Sequence, residues 1–340
     1  MDKAPTLAII VPCFCEEDAL PRTNSQLCAL LNSMVTAGEV SERSSVVYVD
    51  DGSTDATWAL VKGYAHSQQS VGAIKLSANF GHQNAIIAGM EATLHRADIF
   101  LTIDADLQDD VNTIPKMVEK YKEGYEIVYG VHSGRKSDSW FKRNTALAFY
   151  RLMHHLGTKS VYNHADFRLM DRRTVGELLR YPERNLFMRG IVPLLGFKSA
   201  TVEYERSERT AGTTKYPFSK MVSFAIDGIT SFSIRPVRLV LAMGIVFVFI
   251  AIIILGYVLY SKFSGLAVSG WSSMILSMWF IGGCVLIGLG IVGEYIGKIY
   301  IEVKHRPRYH IDTVAGVIHS SRTDNESKTN QHINTFKQRV

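Results

Sequence analysis

Residues 100–110 read FLTIDADLQDD. Phe100, Leu101, Thr102 and Ile103 have the make-up of a buried strand. Asp104, Asp106, Asp109 and Asp110 then crowd four carboxylates into a few residues. Such a run is either a solvated acidic turn or the place of a divalent cation. Magnesium and manganese take oxygen ligands and relieve the mutual repulsion. Spacing favours the cation, because on an extended backbone Asp104 and Asp106 project to the same face.

Working outward, residues 1–130 alternate apolar runs with helical stretches. TLAIIVPCF (6–14), SSVVYVDDGS (44–53), VGAIKLS (71–77), DIFLTID (98–104) and YEIVYGV (125–131) read as strands. Between them, a helix runs to about Val35, DATWALVKGYAHS (55–67) starts with Asp55 as N-cap, and HQNAIIAGMEATLH and NTIPKMVEKYKEG complete the series. The alternation predicts an α/β fold with a mainly parallel, Rossmann-like twisted sheet, whose ligands bind beyond the carboxyl ends of the strands.

Those ends are polar in every case. Pro12, Phe14 and Glu16 close the first, DDGSTD (50–55) the second, SANFGHQNA (77–85) the third and DADLQDD the fourth. Their convergence on one sheet edge separates a site from four unrelated turns. Neither G-x-G-x-x-G nor a Walker A lysine is present, which disfavours a dinucleotide fold or a P-loop. Asp50 and Asp51 can accept hydrogen bonds from a base or ribose, and Asp104 and Asp106 with a metal can neutralise a pyrophosphate. The set describes a nucleotide-diphosphate site. His82 reads either as a donor contact or as part of a helix cap.

The far end of the chain has another character. Leu239 to Tyr260 carries no charge, and at 1.5 Å per residue it makes roughly 33 Å of helix, enough to span a bilayer core. A second apolar run covers about Ser272 to Gly293. Arg235 and Arg238 precede the first run, and Lys298, Lys304, Arg306 and Arg308 follow the second; the loop 261–271 has only Lys262. The positive-inside rule then places both termini in the cytoplasm. Trp271 and Tyr260 suit the opposite interface. Residues 217–234 place Phe218, Met221, Val222, Ala225, Ile229 and Phe232 at helical spacing, as an amphipathic helix on the membrane surface or packed on the soluble domain. Glu294 is expected to pair with Lys298, and the glycines of GGCVLIGLGIVG suit close helix packing within the chain or between subunits. The tail after about Ile311 reads as polar and mobile.

These segments divide the chain into a cytoplasmic domain (1–216), an interfacial region (217–238), two transmembrane helices (239–300) and a cytoplasmic, partly disordered tail (301–340). The 340 residues, 47% hydrophobic and 20% charged, exclude a disordered protein. A net charge of +5 suits nucleic acid, anionic membrane or phosphorylated substrates. No basic run interleaved with aromatics occurs, so nucleic acid is not an expected partner. Cys13, Cys15, Cys28 and Cys284 offer no second ligand pair for zinc and read as free thiols. The N-terminus lacks the charged and apolar regions of a signal peptide.

In order and spacing, VDDGSTD, NFGHQNAIIAG and DADLQD resemble the motifs of glycosyltransferase family 2 enzymes with the type A glycosyltransferase fold. DFRLMDRR, PERNLFMRGI, ERTAGTTKY, GITSFSIRPVRL and GEYIGKIYIEVKHRPRY resemble the polyprenyl-phosphate glycosyltransferases with two C-terminal spans, bactoprenol glucosyltransferases among them and dolichyl-phosphate mannose synthase more distantly. The resemblance covers roughly residues 5–310. Two positions depart from the usual pattern: Cys15 where Asn is common, and His132 where Arg often stands.

The resemblance implies inverting transfer of a sugar from a UDP- or GDP-sugar to a polyprenyl phosphate such as undecaprenyl phosphate, with Mg2+ or Mn2+, at the bacterial inner membrane. UDP-glucose is the first expectation. Galactose, N-acetylhexosamine, mannose or aminoarabinose are the alternatives, and the product would serve cell-surface glycan modification. Metal ligation falls to Asp104, Asp106 and Gln108. Nucleotide contact falls to Pro12, Phe14, Glu16, Asp50, Asp51, Asn79 and Asp104.

Holding the acceptor phosphate needs cations. The candidates are Arg135, Lys142, Arg143, Arg168, Arg206, Arg209 and Lys215. Arg168 is preferred for its place in an apolar strand, and Asp166 beside it is a base or an orienting group. A second copy of the chain, and a flippase or downstream transferase, are the further partners this role would use. A processive polysaccharide synthase shares the front motifs but normally carries Q-x-x-R-W and more spans. A non-catalytic nucleotide-binding adaptor would not need the metal pair.

Overall fold

The computed structural model describes residues 4–132, 164–183, 188–204 and 270–318, and within the first apolar run the positions 237, 240, 242–247, 249–250 and 252–253. The strands are β1 (Leu7–Cys13), β2 (Ser45–Asp50), β3 (Val71–Leu76), β4 (Ile99–Thr102), β5 (Ile127–His132), β6 (His164–Asp171), β7 (Ser199–Tyr204) and β8 (Ile311–Gly316). The helices are α1 (Leu20–Thr36), α2 (Thr57–Ser67), α3 (His82–Thr93), α4 (Ile114–Lys122), α5 (Arg172–Leu179), α6 (Met188–Leu194) and α7 (Trp271–Val303).

The eight strands form one sheet in the order β7-β5-β6-β4-β1-β2-β3-β8. Strands β1 to β4 are parallel, β6 runs antiparallel between β4 and β5, and β8 runs antiparallel to β3. Helices cover both faces. Leu20, Leu27 and Leu31 of α1 share a core with Leu7, Ile9 and Val11. On the other face α3 lies so close that a Cβ on Gly89 would meet the Ile10 side chain at 2.5 Å. Burial on both faces explains why LAIIVPC is a continuous apolar run instead of an alternating one.

Register opens the site. The β1–β4 ladder ends at Ile10 opposite Thr102. Ile10 faces β4, because its carbonyl accepts from the Ile103 amide. Two residues on, Pro12 faces the same side, where β4 has already turned away at Asp104. Its missing N–H therefore costs no ladder bond, which resolves how a proline sits in a central strand.

Two local expectations need correction. The N-cap of α2 is Ala56 instead of Asp55, although Asp55 Oδ1 still accepts from the Thr57 amide at 3.0 Å. The tail after Ile311 is not free at its start: 311–316 is strand β8, in the same compact unit as the rest of the sheet. Its polar residues Asp312 and Thr313 are what an edge strand carries, and composition alone reads them as tail.

In the second compact unit, α7 is 33 residues long, and Phe280–Val303 within it is long and apolar enough to cross a membrane. The helix continues past Gly293, where the uncharged run ends, to Val303. Of the first apolar run, the described positions are helical. Phe247 stands edge-on to Phe280 with ring centroids 5.9 Å apart, and a Cβ on Gly288 would lie 3.1 Å from Val240. Glu294 and Lys298 pair at 3.9 Å, as their i,i+4 spacing suggests. The amphipathic segment 217–234 lies outside the described residues.

Candidate active site

Beyond the carboxyl ends of β1, β2 and β4, a pocket of about 290 Å³ is lined by Pro12, Phe14, Glu16, Asp51, Asn79, His82, Asp104 and Asp106, with Cys13, Gly81, Ala85 and Ala105. Six of the seven positions expected to contact a nucleotide are on this wall. Asp50 is not. It is fully buried behind Asp51, with one oxygen accepting from the Ser53 amide at 3.1 Å and the other without a partner. Alternation along β2 puts neighbouring residues on opposite faces, so only one of the pair can reach the pocket.

Asp51 shapes the wall. Its Oδ1 accepts from the Phe80 amide at 2.7 Å and its Oδ2 from the Gly81 amide at 2.9 Å. The carboxylate thus folds the 77–81 loop over the pocket, and Asn79 Oδ1 adds a bond from Gly81 at 3.1 Å. Burial pushes the Asp51 carboxyl up, while the two amide bonds pull it down. Gly52 is required where this loop comes close. Its φ is +71°, and a Cβ there would lie 2.5 Å from the Ala78 carbonyl carbon.

The four carboxylates after β4 have three different fates. Asp104 and Asp106 line the pocket. Asp109 is buried and accepts from the Tyr204 hydroxyl. Asp110 caps the short turn Val111–Thr113, accepting from the Asn112 amide at 3.0 Å. Leu107, at φ +46°, makes the bend that sends the pairs apart. Gln108 is also off the pocket wall. It is 7% exposed, and its amide nitrogen donates to Asp106 Oδ2 at 2.5 Å, so it orients the Asp106 carboxylate from behind the pocket wall.

Half of the Asp104 side-chain surface is open to the pocket, and protein crowds the rest. Desolvation raises its carboxyl, His82 opposes the shift, and the charges of Asp166 and Asp106 reinforce it. Among the described residues no three His, Cys, Asp or Glu side chains form a closed cage for a metal. The donor set nevertheless fits magnesium or manganese. Such ions are commonly held by one or two carboxylates and complete their shell with phosphate oxygens and water.

Asp166, on β6, faces Asp104 across His82. His82 Nε2 is 3.4 Å from Asp104 and 3.8 Å from Asp166. Arg168 Nη2 donates to Asp166 Oδ1 at 2.5 Å, and Arg189 Nη2 donates to Oδ2 at 3.1 Å. Burial pushes the Asp166 carboxyl up, but the two guanidinium groups outweigh it and hold it well below the usual carboxylate range.

Arg168 requires a correction. As the preferred candidate for the acceptor phosphate it would need an open side chain, yet that side chain has no solvent exposure. Period-two alternation puts Asp166 and Arg168 on the same face of β6, where Asp166 occupies the open position and Arg168 lies behind it. Arg189, on α6, is the exposed cation of the group, at 36%. It falls in PERNLFMRGI, but no local pattern ties it to an aspartate on β6. That pairing exists only in the fold. Gln83 is the other residue that sequence reading missed: its Oε1 accepts from the Met188 amide at 2.9 Å and fixes the start of α6. Arg135, Lys142, Arg143, Arg206, Arg209 and Lys215 lie outside the described residues.

A pocket of carboxylates at the strand ends of a mainly parallel sheet, next to a charge-paired aspartate, suits an enzyme acting on a phosphorylated substrate, and the chain belongs to glycosyltransferase family 2, whose model matches residues 8–179. It is a glycosyltransferase. An uncharacterized glycosyltransferase YkoT of Bacillus subtilis is 51% identical, over 91% of each chain. A prophage bactoprenol glucosyl transferase homolog of Escherichia coli is 38% identical over 91% of this chain and 99% of its own, and the bactoprenol glucosyl transferase of Shigella phage SfX is 38% identical over 90% and 98%. A solved mannosyltransferase from Pyrobaculum calidifontis aligns at 16% identity with a TM-score of 0.43, over 66% of this chain and 63% of that one, too loose a likeness to carry residue roles.

Proposed function

We propose that the chain transfers glucose from UDP-glucose to a polyprenyl phosphate, at the cytoplasmic face of a bacterial inner membrane. The observation that carries this reading is the single pocket that gathers Pro12, Phe14, Glu16, Asp51, Asn79, Asp104 and Asp106. Support for the acceptor comes from relatives named bactoprenol glucosyl transferases, matched along about nine-tenths of the chain. The apolar helix within α7 supports residence in a bilayer.

Phe14, 46% exposed on the rim, offers an apolar face for the uracil ring. Asn79 and Glu16 supply polar contacts for the nucleoside. Asp104 and Asp106 would hold the magnesium or manganese ion, which when bound neutralises the pyrophosphate and the departing nucleoside diphosphate.

A phosphate monoester is largely ionised at neutral pH, with a second pKa of about 6. It needs little help from a base. Asp166, kept ionised by two arginines, is correspondingly a poor proton acceptor at neutral pH. Its role in this reading is to hold Arg189 and the sugar in place. Arg189 then replaces Arg168 as the cation presented to the acceptor phosphate, with Arg135, Arg143, Arg206, Arg209 and Lys215 as further candidates. The phosphate oxygen attacks the anomeric carbon, the bond to the β-phosphate oxygen breaks on the opposite face, and UDP leaves with inversion.

Membranes containing the protein should be incubated with undecaprenyl phosphate and a panel of labelled nucleotide sugars. UDP-glucose should yield a lipid-extractable glucosyl phosphate. Labelling from another nucleotide sugar alone would replace glucose, and no lipid product from any of them would overturn the reading.

A further inference from the structure

We infer that the segment leaving the apolar helix, Tyr309 to Ile311, braces the donor site from outside, and that His310 is a positioning residue for the nucleotide-binding loop. This rests on the donor pocket proposed above. The loop 77–81 is held on its inner side by Asp51, through the amides of Phe80 and Gly81. On its outer side, the His310 carbonyl accepts from the Ser77 amide at 3.0 Å. The His310 ring stands edge-on to Phe80, with centroids 6.0 Å apart and planes at 64°. That geometry lies in the favourable range for aromatic pairs. One residue earlier, the Tyr309 hydroxyl donates to Glu91 on α3, the helix whose first residue is His82. One residue later, Ile311 pairs with Leu76 where the β3–β8 register shifts. Three consecutive residues therefore grip the end of β3, the loop that carries Asn79, and the helix that carries His82.

The position in the chain gives this grip a consequence. Residue 309 follows Val303, the end of α7, by only six positions. The part of the chain that crosses the bilayer in the proposed function is thus joined by a short link to the outer wall of the donor pocket. The donor pocket's outer brace thus lies about two hundred residues after Asp51, Asn79 and the paired aspartates, all of which precede residue 110.

The test is binding of UDP, with Mn2+, to the full-length protein in detergent, read by calorimetry, together with the steady-state KM for UDP-glucose and for undecaprenyl phosphate. His310→Ala should weaken UDP binding and raise the donor KM by about three- to tenfold, the range an aromatic pair contributes. The acceptor KM and the rate at saturation should stay at wild-type values. His310→Phe, which keeps the ring, should restore donor affinity, an outcome a generally loosened fold would not produce. Unchanged UDP affinity in His310→Ala, or no rescue by His310→Phe, overturns the inference while leaving the donor pocket intact. Failure of the wild type to bind UDP would overturn the donor reading, and this inference with it.

Discussion

Asp166 keeps its charge because two guanidinium groups share it, and they do so unequally. Arg168 lies entirely inside the protein; Arg189 is a third exposed. Removing Arg168 leaves a mostly buried carboxylate short of a partner and a void behind it. Arg168→Ala should therefore cost stability, about 3 kcal/mol, read as a lower midpoint in thermal unfolding. Arg189→Ala should keep the midpoint and lose turnover, with the larger change in acceptor KM. A stable Arg168→Ala variant defective only in acceptor saturation would return Arg168 to the direct phosphate contact that the sequence suggested. At this scale the sequence was informative about which residues line the pocket and less so about what each contacts. Asp104 and Asp106 do share the pocket, but not by strand alternation: β4 ends at Thr102, and a turn closed by the Leu107 amide on the Asp104 carbonyl brings both carboxylates to the wall. The partners of Asp109 and Arg168 were not legible, because Tyr204 is 95 residues away and the burial of Arg168 depends on packing around β6.

Elements set where these residues meet. The β4 ladder stops at Thr102, β1 runs on to Cys13, and the step between them is the floor of the pocket. The wall depends on the tight approach of Gly52 to the 77–81 loop. Gly52→Ala should destabilise the protein by at least about 1 kcal/mol, since a left-handed φ alone disfavours alanine by that much, and it should weaken UDP binding, because the Cβ would push Ala78 outward. Chemical unfolding and a UDP titration check both effects; wild-type behaviour in both would mean the loop relaxes freely. The parallel core β1–β4 was legible as apolar runs separated by helical periodicity. The reversal of β6 between β4 and β5, and the edge strand β8, were not. Pairing partners far apart in sequence leave no periodic trace, and β8 joins β3 across more than two hundred residues.

For the whole molecule, the proposed chemistry joins a water-soluble donor to a lipid acceptor, so the pocket must work at a membrane surface. Two spans with both termini cytoplasmic would meet that need, and Arg235 and Arg238 at headgroup depth would each add about 1 kcal/mol of attraction to anionic lipid. In a variant lacking the native cysteines, Ser269→Cys should be labelled by an impermeant maleimide in intact cells. Labelling only after permeabilisation would reverse the orientation.

In the proposed function, the pocket holding Asp104 and Asp106 transfers the sugar with the help of a divalent ion. The most direct measurement is the rate at which purified full-length protein forms lipid-linked glucose from UDP-glucose and undecaprenyl phosphate, for the wild type and for Asp106→Asn, with and without excess EDTA. The wild type should transfer glucose, lose that activity in EDTA and recover it on adding Mg2+ or Mn2+, and a folded Asp106→Asn variant should transfer none. Wild-type turnover by Asp106→Asn, or full activity in EDTA, would contradict that proposal.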